Sequence, residues 1–433
     1  MAAPARRPVR RPRAAFLRRG LIPVLSRYLP QDRLTSLPTR AMVFAPLVVV
    51  WATIVQALDR RDSDRAATYR VGHWLQLPVN SRSGALCKAR ARLPQGLLRE
   101  VGQGVAEGLR PVGRQRLRGR RIVVLDGSSL TVPDTPENRA YFGLPAGQKP
   151  GCGYPVLDLE VLMDGRTGAV LDWAVAPHGT SELVLVQQLL RSLRPGDILV
   201  ADRYYGTYGF LAQMRSLQVA VVTRQHQRRQ NRGRPEGARE WEETWARPDD
   251  LHEVHQDLCW EPDQQVRVLW RERAERETLK LVTTLTRAEA PARVVQQWYR
   301  DRWRIETQLK QLKTGQQAEF VSARSPAAVE QAVAGHILAL NLLCAWRCEV
   351  ARAVQQDPWQ MSLTGLRDGV LTTVGDGRSV VAQRQWLVAC GRAEKVPQRP
   401  GRNEPRRVKR RPKPFTYLTQ PRDELRTQLM GGR

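Results

Sequence analysis

Five polar side chains in the last third of the chain have a spacing that could support chemistry. They are Tyr299, Arg302, Glu306, Lys310 and Lys313. On a helix that turns by about 100° per residue, their intervals place all five within about 80°. The adjacent face is apolar and carries Trp298, Ile305, Leu309 and Leu312. One carboxylate among cations suits a site that holds metal and phosphate together, whereas a solvated amphipathic helix with i,i+4 ion pairs is the alternative.

Two aspartates upstream could supply partners for Glu306. Asp126 ends the apolar run IVVLD, and Asp202 ends the run DILVAD. An acid at the end of a buried strand must be paired, act as a cap or bind a metal. For either aspartate alone, a cap where the strand reaches the surface is the simpler interpretation. Three carboxylates from separate elements favour Mg²⁺, and two such ions about 4 Å apart support phosphoryl transfer.

The charge of the chain predicts a polyanionic partner. Its 433 residues contain 70 Lys and Arg against 42 Asp and Glu, a net charge of +28. Arginine predominates and suits bidentate contacts to phosphate. Nucleic acid is therefore the expected partner, and ribosomal, histone-like and membrane-surface proteins are the alternatives. The length and mixed apolar content argue against a small basic packing protein.

The sequence predicts a cytoplasmic protein. Its six cysteines are scattered without a paired framework, which is typical of reduced thiols. The most apolar segment, 42–58, contains Pro46 and is shorter than the roughly 20 residues that a bilayer span needs. We therefore expect a buried helix there. No apolar segment with a cleavage site follows the Arg-rich N-terminus, so we expect no export and no membrane partner.

The elements that must position the three acids follow a recognisable order. Strand-like runs cover 122–126, 154–164, 168–176, 197–202 and 219–224, and helix-like runs cover 181–193 and 205–217. The predicted order is therefore β-β-β-α-β-α-β. A polar, Arg-rich stretch interrupts it, followed by strand-like segments near 252–259, 265–271 and 278–285. A long apolar helix is expected over 327–354.

The chain resembles the DDE transposases of bacterial insertion sequences, in the IS-four-like branch. Tyr299, Arg302, Glu306 and Lys313 match that branch's signature, Y-x2-R-x3-E-x6-K. Other blocks are similar to the family: DGSS (126–129), PHGTSE (177–182), VADRYYGTYGFL (200–211), YRDRW (299–303) and EPRRVKRRPKPF (404–415). Tyr204 departs from the pattern, since a glycine is frequent there.

The resemblance implies an α/β fold, a ribonuclease H-like mixed sheet flanked by helices, with a β-rich insertion, a helical N-terminal domain and basic tails. We predict a disordered basic arm (1–20), a helical DNA-binding domain (21–118), a catalytic domain (119–224 and 291–355), the insertion (225–290) and a C-terminal helical region with a basic tail (356–433). For the N-terminal helices, any basic helical bundle is the alternative, because pattern alone identifies no helix-turn-helix.

The resemblance also implies cut-and-paste DNA transposition. Asp126, Asp202 and Glu306 would be the catalytic residues and would bind two Mg²⁺ or Mn²⁺ ions. The freed 3′-OH would attack the other strand, commonly through a hairpin, or the target. Tyr299, Arg302, Lys313 and Arg203 would contact DNA. The implied partners are terminal inverted repeats and target DNA, bound by a homodimer in the synaptic complex and associated with the nucleoid.

The branch uses a tryptophan of the insertion to stack on a flipped base, which can offset the free energy of flipping. Trp241, Trp245, Trp260 and Trp270 lie in the insertion. The sequence does not decide which of the four stacks on a base. Trp260 and Trp270 have strand-like neighbours, where core packing is the usual role, whereas Trp241 and Trp245 lie in a polar stretch and are therefore named as DNA-binding residues. Two alternatives to an active transposase remain. They are an inactive or domesticated DNA-binding protein and a two-metal nuclease without strand transfer.

Overall fold

A computed structural model describes most of the chain. The described residues are 22–38, 44–59, 63–74, 84–109, 119–145, 151–226, 235–256, 263–272, 278–374, 378–396 and 420–431. The predicted N-terminal arm lies outside this part of the chain, as do Trp260 and most of the basic tail.

One mixed sheet forms the centre of the molecule. Its strands are β1 (Ile122–Thr131), β2 (Val156–Asp164), β3 (Val170–Pro177), β4 (Ile198–Val200), β5 (Ala220–Arg224), β6 (Glu240–Ala246), β7 (Asp263–Glu272) and β8 (Thr278–Thr283). They are ordered β3-β2-β1-β4-β5-β8-β7-β6. β1, β2 and β3 are antiparallel neighbours, whereas β4 and β5 run parallel to β1. This order confirms the predicted ribonuclease H-like sheet.

Helices flank the sheet. The N-terminal ones are α1 (Pro23–Ser26), α2 (Gln31–Ser36), α3 (Pro46–Leu58), α4 (Asp64–Trp74), α5 (Gly84–Ala91) and α6 (Leu97–Gly108). Those of the catalytic region and its insertion are α7 (Pro136–Phe142), α8 (Glu182–Gln187), α9 (Tyr208–Ser216), α10 (Glu253–Gln256), α11 (Ala292–Asp301), α12 (Trp303–Lys310) and α13 (Pro326–Ala353). The last are α14 (Leu363–Thr372), α15 (Val380–Ala393) and α16 (Arg422–Gly431).

Two apolar helices behave as their sequences predict. α3 is buried along nearly its whole length, as expected for the apolar segment 42–58. α13 packs against α3 and α6 and matches the predicted helix 327–354 within one residue at each end. By length and composition, α13 is also the one helix of the described ranges that could cross a membrane, and 67% of its most apolar window is buried inside the protein.

The insertion extends the central sheet. β8 pairs with β5, and β7 and β6 continue outward from it. The predicted strand near 252–259 is wrong, because its described part contains the short helix α10. The third strand of the insertion is instead β6, which the sequence analysis missed because its sequence EWEETWA is polar. Its alternate residues Trp241, Glu243 and Trp245 share one inward-facing side, since side chains alternate between the two faces of a strand.

The stripe of polar residues lies on consecutive helical segments. α11 ends at Asp301, α12 begins at Trp303, and Arg302 between them keeps helical dihedral angles. A π-helical turn at Gln311–Gly315 completes the run. The predicted single helix is therefore interrupted at Arg302 and widened around Lys313.

Candidate active site

Asp126 lies within β1 and not at its end. The strand continues for five residues beyond it, to Thr131, so the expectation that Asp126 terminates a strand is wrong. The apolar run ends there, but the pairing of β1 with β2 does not. Burial raises the pKa of Asp126, whereas Arg302 and the Gly127 amide oppose this shift, and the charges of Asp202 and Glu306 add to it.

The parallel pairing of β1 with β4 brings Asp126 and Asp202 side by side. Val124 lies opposite Val200 in this register, and each aspartate lies two residues further along its own strand direction. Two residues is the side-chain period of a strand, so both carboxylates are directed to one edge and face. Beyond β4, Asp202 caps a short 3₁₀ turn, where its Oδ1 accepts a hydrogen bond from the Tyr204 amide at 2.7 Å.

Glu306 approaches from α12, which packs against β1. Ile305 and Leu309 are buried beneath the helix, while about half of the Glu306 side chain is exposed. The apolar stripe therefore anchors α12, as the sequence predicts, and leaves the carboxylate at the edge of the site.

Arg302 joins two of the three acids. Its Nη1 donates to Asp126 Oδ2 at 2.9 Å, and its Nη2 donates to Glu306 Oε1 at 2.6 Å. The guanidinium carbon lies 6.0 Å from the centre of the Tyr299 ring, and burial raises the pKa of that tyrosine. Within the described residues, no group of three Asp, Glu, His or Cys side chains is close enough to hold a metal ion in this conformation.

The other predicted DNA contacts border these acids. Lys313 Nζ lies 3.3 Å from the hydroxyl oxygen of Ser128, two residues beyond Asp126 on the same face of β1. Arg203 directly follows Asp202 and is exposed. Lys310 is also exposed, on the side of α12 that carries Glu306. The structure thus groups the acids with Tyr299, Arg302, Lys313 and Arg203.

Trp241 and Trp245, which the sequence suggested as DNA-binding residues, are buried. They are 5% and 1% exposed, in a small core with Val266 and Val268. Both indole N–H groups donate to Glu243, at 2.8 and 3.0 Å. Neither ring can stack on a base in this arrangement. The polar sequence misled because some of its glutamates point away from the tryptophans, whereas Glu243 lies on their face and accepts hydrogen bonds from both indoles.

Three neighbouring residues have features that the sequence interpretation did not assign. Trp303 directly follows Arg302 and is 53% exposed. Glu160 is buried in β2, and Glu182 begins α8 next to it. The sequence did contain a signal for Glu160. In the strand segment LDLE (157–160), acids alternate with leucines, so Glu160 is an acid in a largely apolar strand.

The chain matches a known family over this whole region. A sequence model described as "Transposase DDE domain" matches residues 117–342, just over half of the chain. The chain belongs to the DDE transposase family. It is a DNA-cleaving and strand-transferring enzyme of DNA transposition, and the predicted membership of the IS-four-like branch is confirmed by its similarity to the IS4 transposase.

One curated relative extends the match to nearly the whole chain. This transposase is 25% identical over 426 residues to the transposase InsG for insertion sequence element IS4 of Escherichia coli (strain K12), and the alignment covers 92% of both chains. It is 31% identical over 88 residues to the putative transposase InsZ of the same organism, covering 20% of this chain and 29% of InsZ. Among solved structures, a piggyBac transposase synaptic complex with hairpin DNA overlaps 89% of this chain and 86% of its own, at 10% identity and a TM-score of 0.42. The fold assignment rests on the strand order of the central sheet.

Proposed function

We propose that this transposase performs cut-and-paste transposition with Asp126, Asp202 and Glu306 as its catalytic carboxylates. The observation that carries this proposal is the register of β1 and β4, which sets Asp126 beside Asp202. Glu306 joins them because Arg302 bridges it to Asp126. The reacting phosphate would therefore lie at the edge of the sheet between β1, β4 and α12.

The three carboxylates fit divalent metal ions, and we propose that they hold two Mg²⁺ or Mn²⁺ ions. Carboxylate oxygens are the hard ligands that these ions prefer. Arg302 already supplies positive charge between Asp126 and Glu306, so its guanidinium stands in for a cation. When bound, such ions activate an attacking oxygen and stabilise the leaving one.

The surrounding cations are proposed to bind and orient the DNA. Arg302 can exchange its carboxylate partners for phosphate oxygens, which its planar guanidinium matches equally well. Tyr299 can donate its phenolic hydrogen to the same phosphate. Lys313 and the exposed Arg203 border the acids on two sides, where they would neutralise the flanking phosphates.

A hairpin intermediate requires the DNA end to turn sharply, and an aromatic side chain that accepts an extruded base would stabilise the turn. Trp303 is placed for this contact, because it is exposed and adjacent to Arg302. We therefore propose Trp303 in place of Trp241 and Trp245.

The remaining proposals concern assembly. We propose that the helical region 21–118 binds the terminal inverted repeats, that the basic segments attract target DNA, and that two copies join two ends as a homodimer. The net charge of +28 supports binding to DNA, and we propose that the protein acts in the cytoplasm, associated with the nucleoid.

Cleavage of a duplex that carries the element's own terminal repeat tests the catalytic assignment. With Mg²⁺, the wild type is expected to cut this duplex, and Asp202→Asn to lose at least about 10²-fold in rate because a charged ligand is lost. Glu137→Gln, an exposed acid on α7, is the matched control and should cut normally. Undiminished cutting by Asp202→Asn would overturn the assignment.

The same reaction separates the alternatives. Cut ends that become joined to target DNA support strand transfer. Cutting without joined products favours a two-metal nuclease, and binding without metal-dependent cutting favours an inactive DNA-binding protein.

A further inference from the structure

A second pair of carboxylates lies across β1 from Asp126. Gly127 follows Asp126, so it faces the opposite side of the sheet. On that side, Gly127 pairs with Glu160 of β2. A Cβ atom at Gly127 would lie 2.8 Å from Glu160 Oε2 and 3.3 Å from Glu182 Oε1. The two glutamates therefore meet at the space that the missing side chain leaves open.

Glu160 is incompletely satisfied by the protein. Its residue is 1% exposed, and its Oε1 accepts a hydrogen bond from the Tyr205 hydroxyl at 2.8 Å. Its Oε2 is buried and has no hydrogen-bond partner in the described part of the chain. A buried carboxylate oxygen without a partner is strongly unfavourable, so this atom requires either a proton or a cation.

Glu182 opens this position to solvent. It is the first residue of α8 and is only half-buried. Burial raises the pKa of Glu182 to about 7, and the charges of Asp202, Asp126 and Asp158 add to the shift. The negative field at this point attracts a cation, and the open side of Glu182 is a route for its entry.

We propose that Glu160 Oε2 and Glu182 Oε1 bind a divalent cation of the Mg²⁺, Mn²⁺ or Ca²⁺ class, separate from the proposed catalytic ions. Such ions accept one or two carboxylates and complete their coordination with water. A proton is the competing explanation, because burial raises the pKa of Glu160 well above its ordinary value, although the Tyr205 hydrogen bond opposes this shift. Counting bound Mn²⁺ separates the cation from the proton.

The site would connect the catalytic turn to the sheet. Tyr205 ends the 3₁₀ turn that Asp202 caps, and its hydroxyl holds Glu160. A cation between Glu160 and Glu182 would tie this turn, β2 and the start of α8 together. Its proposed role is therefore to position Asp202, while the ion itself stays on the other face of β1 from Asp126.

Counting bound Mn²⁺ by electron paramagnetic resonance tests the proposal on the full chain without DNA. The background variant carries Asp126→Asn and Asp202→Asn, so that the proposed catalytic ions are lost. We expect it to retain one Mn²⁺ per chain. Adding Glu182→Gln should weaken that binding about tenfold or more, and Glu160→Gln should do the same.

Asp158→Asn is the matched control, because it removes a neighbouring negative charge and no proposed ligand. It should change the affinity by less than about threefold. Thermal melting identifies variants that fail to fold, and the half-buried Glu182 variant decides the matter if the Glu160 variant does not fold. Absence of Mn²⁺ from the background variant would overturn the proposal, and so would unchanged binding by Glu182→Gln. Because the background lacks the catalytic aspartates, either result leaves the proposed function to its own cleavage test.

Discussion

Arg302 donates a 2.9 Å hydrogen bond to Asp126, a residue 176 positions earlier in the chain. The same guanidinium holds Glu306 at 2.6 Å. In this conformation two proposed metal ligands are therefore neutralised by the protein's own cation. Under the proposed mechanism, Arg302 releases them when DNA binds, because an incoming phosphate offers the guanidinium an equivalent partner.

Arg302→Ala is expected to separate metal binding from catalysis. Without DNA, Mn²⁺ should bind about tenfold more tightly, because Asp126 and Glu306 lose a competing cation. Cleavage of the element end should fall by about 10²-fold, because a charged contact to the phosphate is lost. Mn²⁺ titration and single-turnover cleavage measure the two effects.

Lys310→Ala is the control for that experiment, since Lys310 is an exposed cation of α12 with no assigned contact to the acids. Its cleavage rate should stay within about twofold of the wild type. Weaker Mn²⁺ binding by Arg302→Ala would show that the arginine assists the metal site and does not compete with it.

The tryptophans should divide into a structural pair and a DNA-binding residue. Trp245→Ala empties a buried position and should lower the free energy of unfolding by about 3–5 kcal/mol. Trp303→Ala should change it by less than about 0.5 kcal/mol, because half of that side chain is exposed, yet it should slow hairpin formation. Urea unfolding and hairpin assays distinguish them. Normal hairpin formation by Trp303→Ala would exclude the stacking role.

Buried His255 predicts an acid-sensitive insertion. Burial lowers the pKa of His255 to about 4, with the charge of His252 adding to the shift, so the unfolded chain binds an extra proton between about pH 6.5 and 4. Stability from the neutral ring is complete above pH 6.5 and is lost as the pH falls. Between pH 7 and 4.5 the free energy of unfolding of His255→Gln should therefore fall by about 2–3 kcal/mol less than that of the wild type, as measured by urea unfolding.

His73→Gln, at an exposed position of α4, is the control and should leave the pH dependence unchanged. If the free energy of unfolding fell equally with decreasing pH in the wild type and in His255→Gln, His255 would not titrate in this range.

An ion pair joins the N-terminal helices to the sheet. Arg99 of α6 donates to Asp172 Oδ1 at 2.7 Å, and Asp172 is fully buried in β3. Arg99→Met should lower the free energy of unfolding by about 3 kcal/mol, because it leaves a buried carboxylate without its closest cation. Adding Asp172→Asn should recover most of this loss in a double-mutant cycle. Simple additivity of the two losses would contradict a direct coupling.

Much of the fold could be predicted because its signals are local. Short apolar runs identified the strands through β5, and α13 was recognisable from its long apolar sequence. The insertion was harder, because β6 carries glutamates on both faces. On the inward face, Glu243 accepts hydrogen bonds from both indole N–H groups, a compensation that depends on the folded strand.

The sequence by itself determined which family this transposase belongs to and which residues are proposed for its chemistry. Asp126, Asp202, Glu306 and the neighbouring cations stand out by residue type and local spacing, because each of the family's motifs is a short stretch of the chain. Only the tertiary structure decided that Arg302 bridges two of the acids, that Trp303 is exposed while Trp245 is buried, and that Glu160 faces Glu182. Each of these facts depends on strand register or on contacts between distant segments, and a local pattern of residues contains neither kind of information.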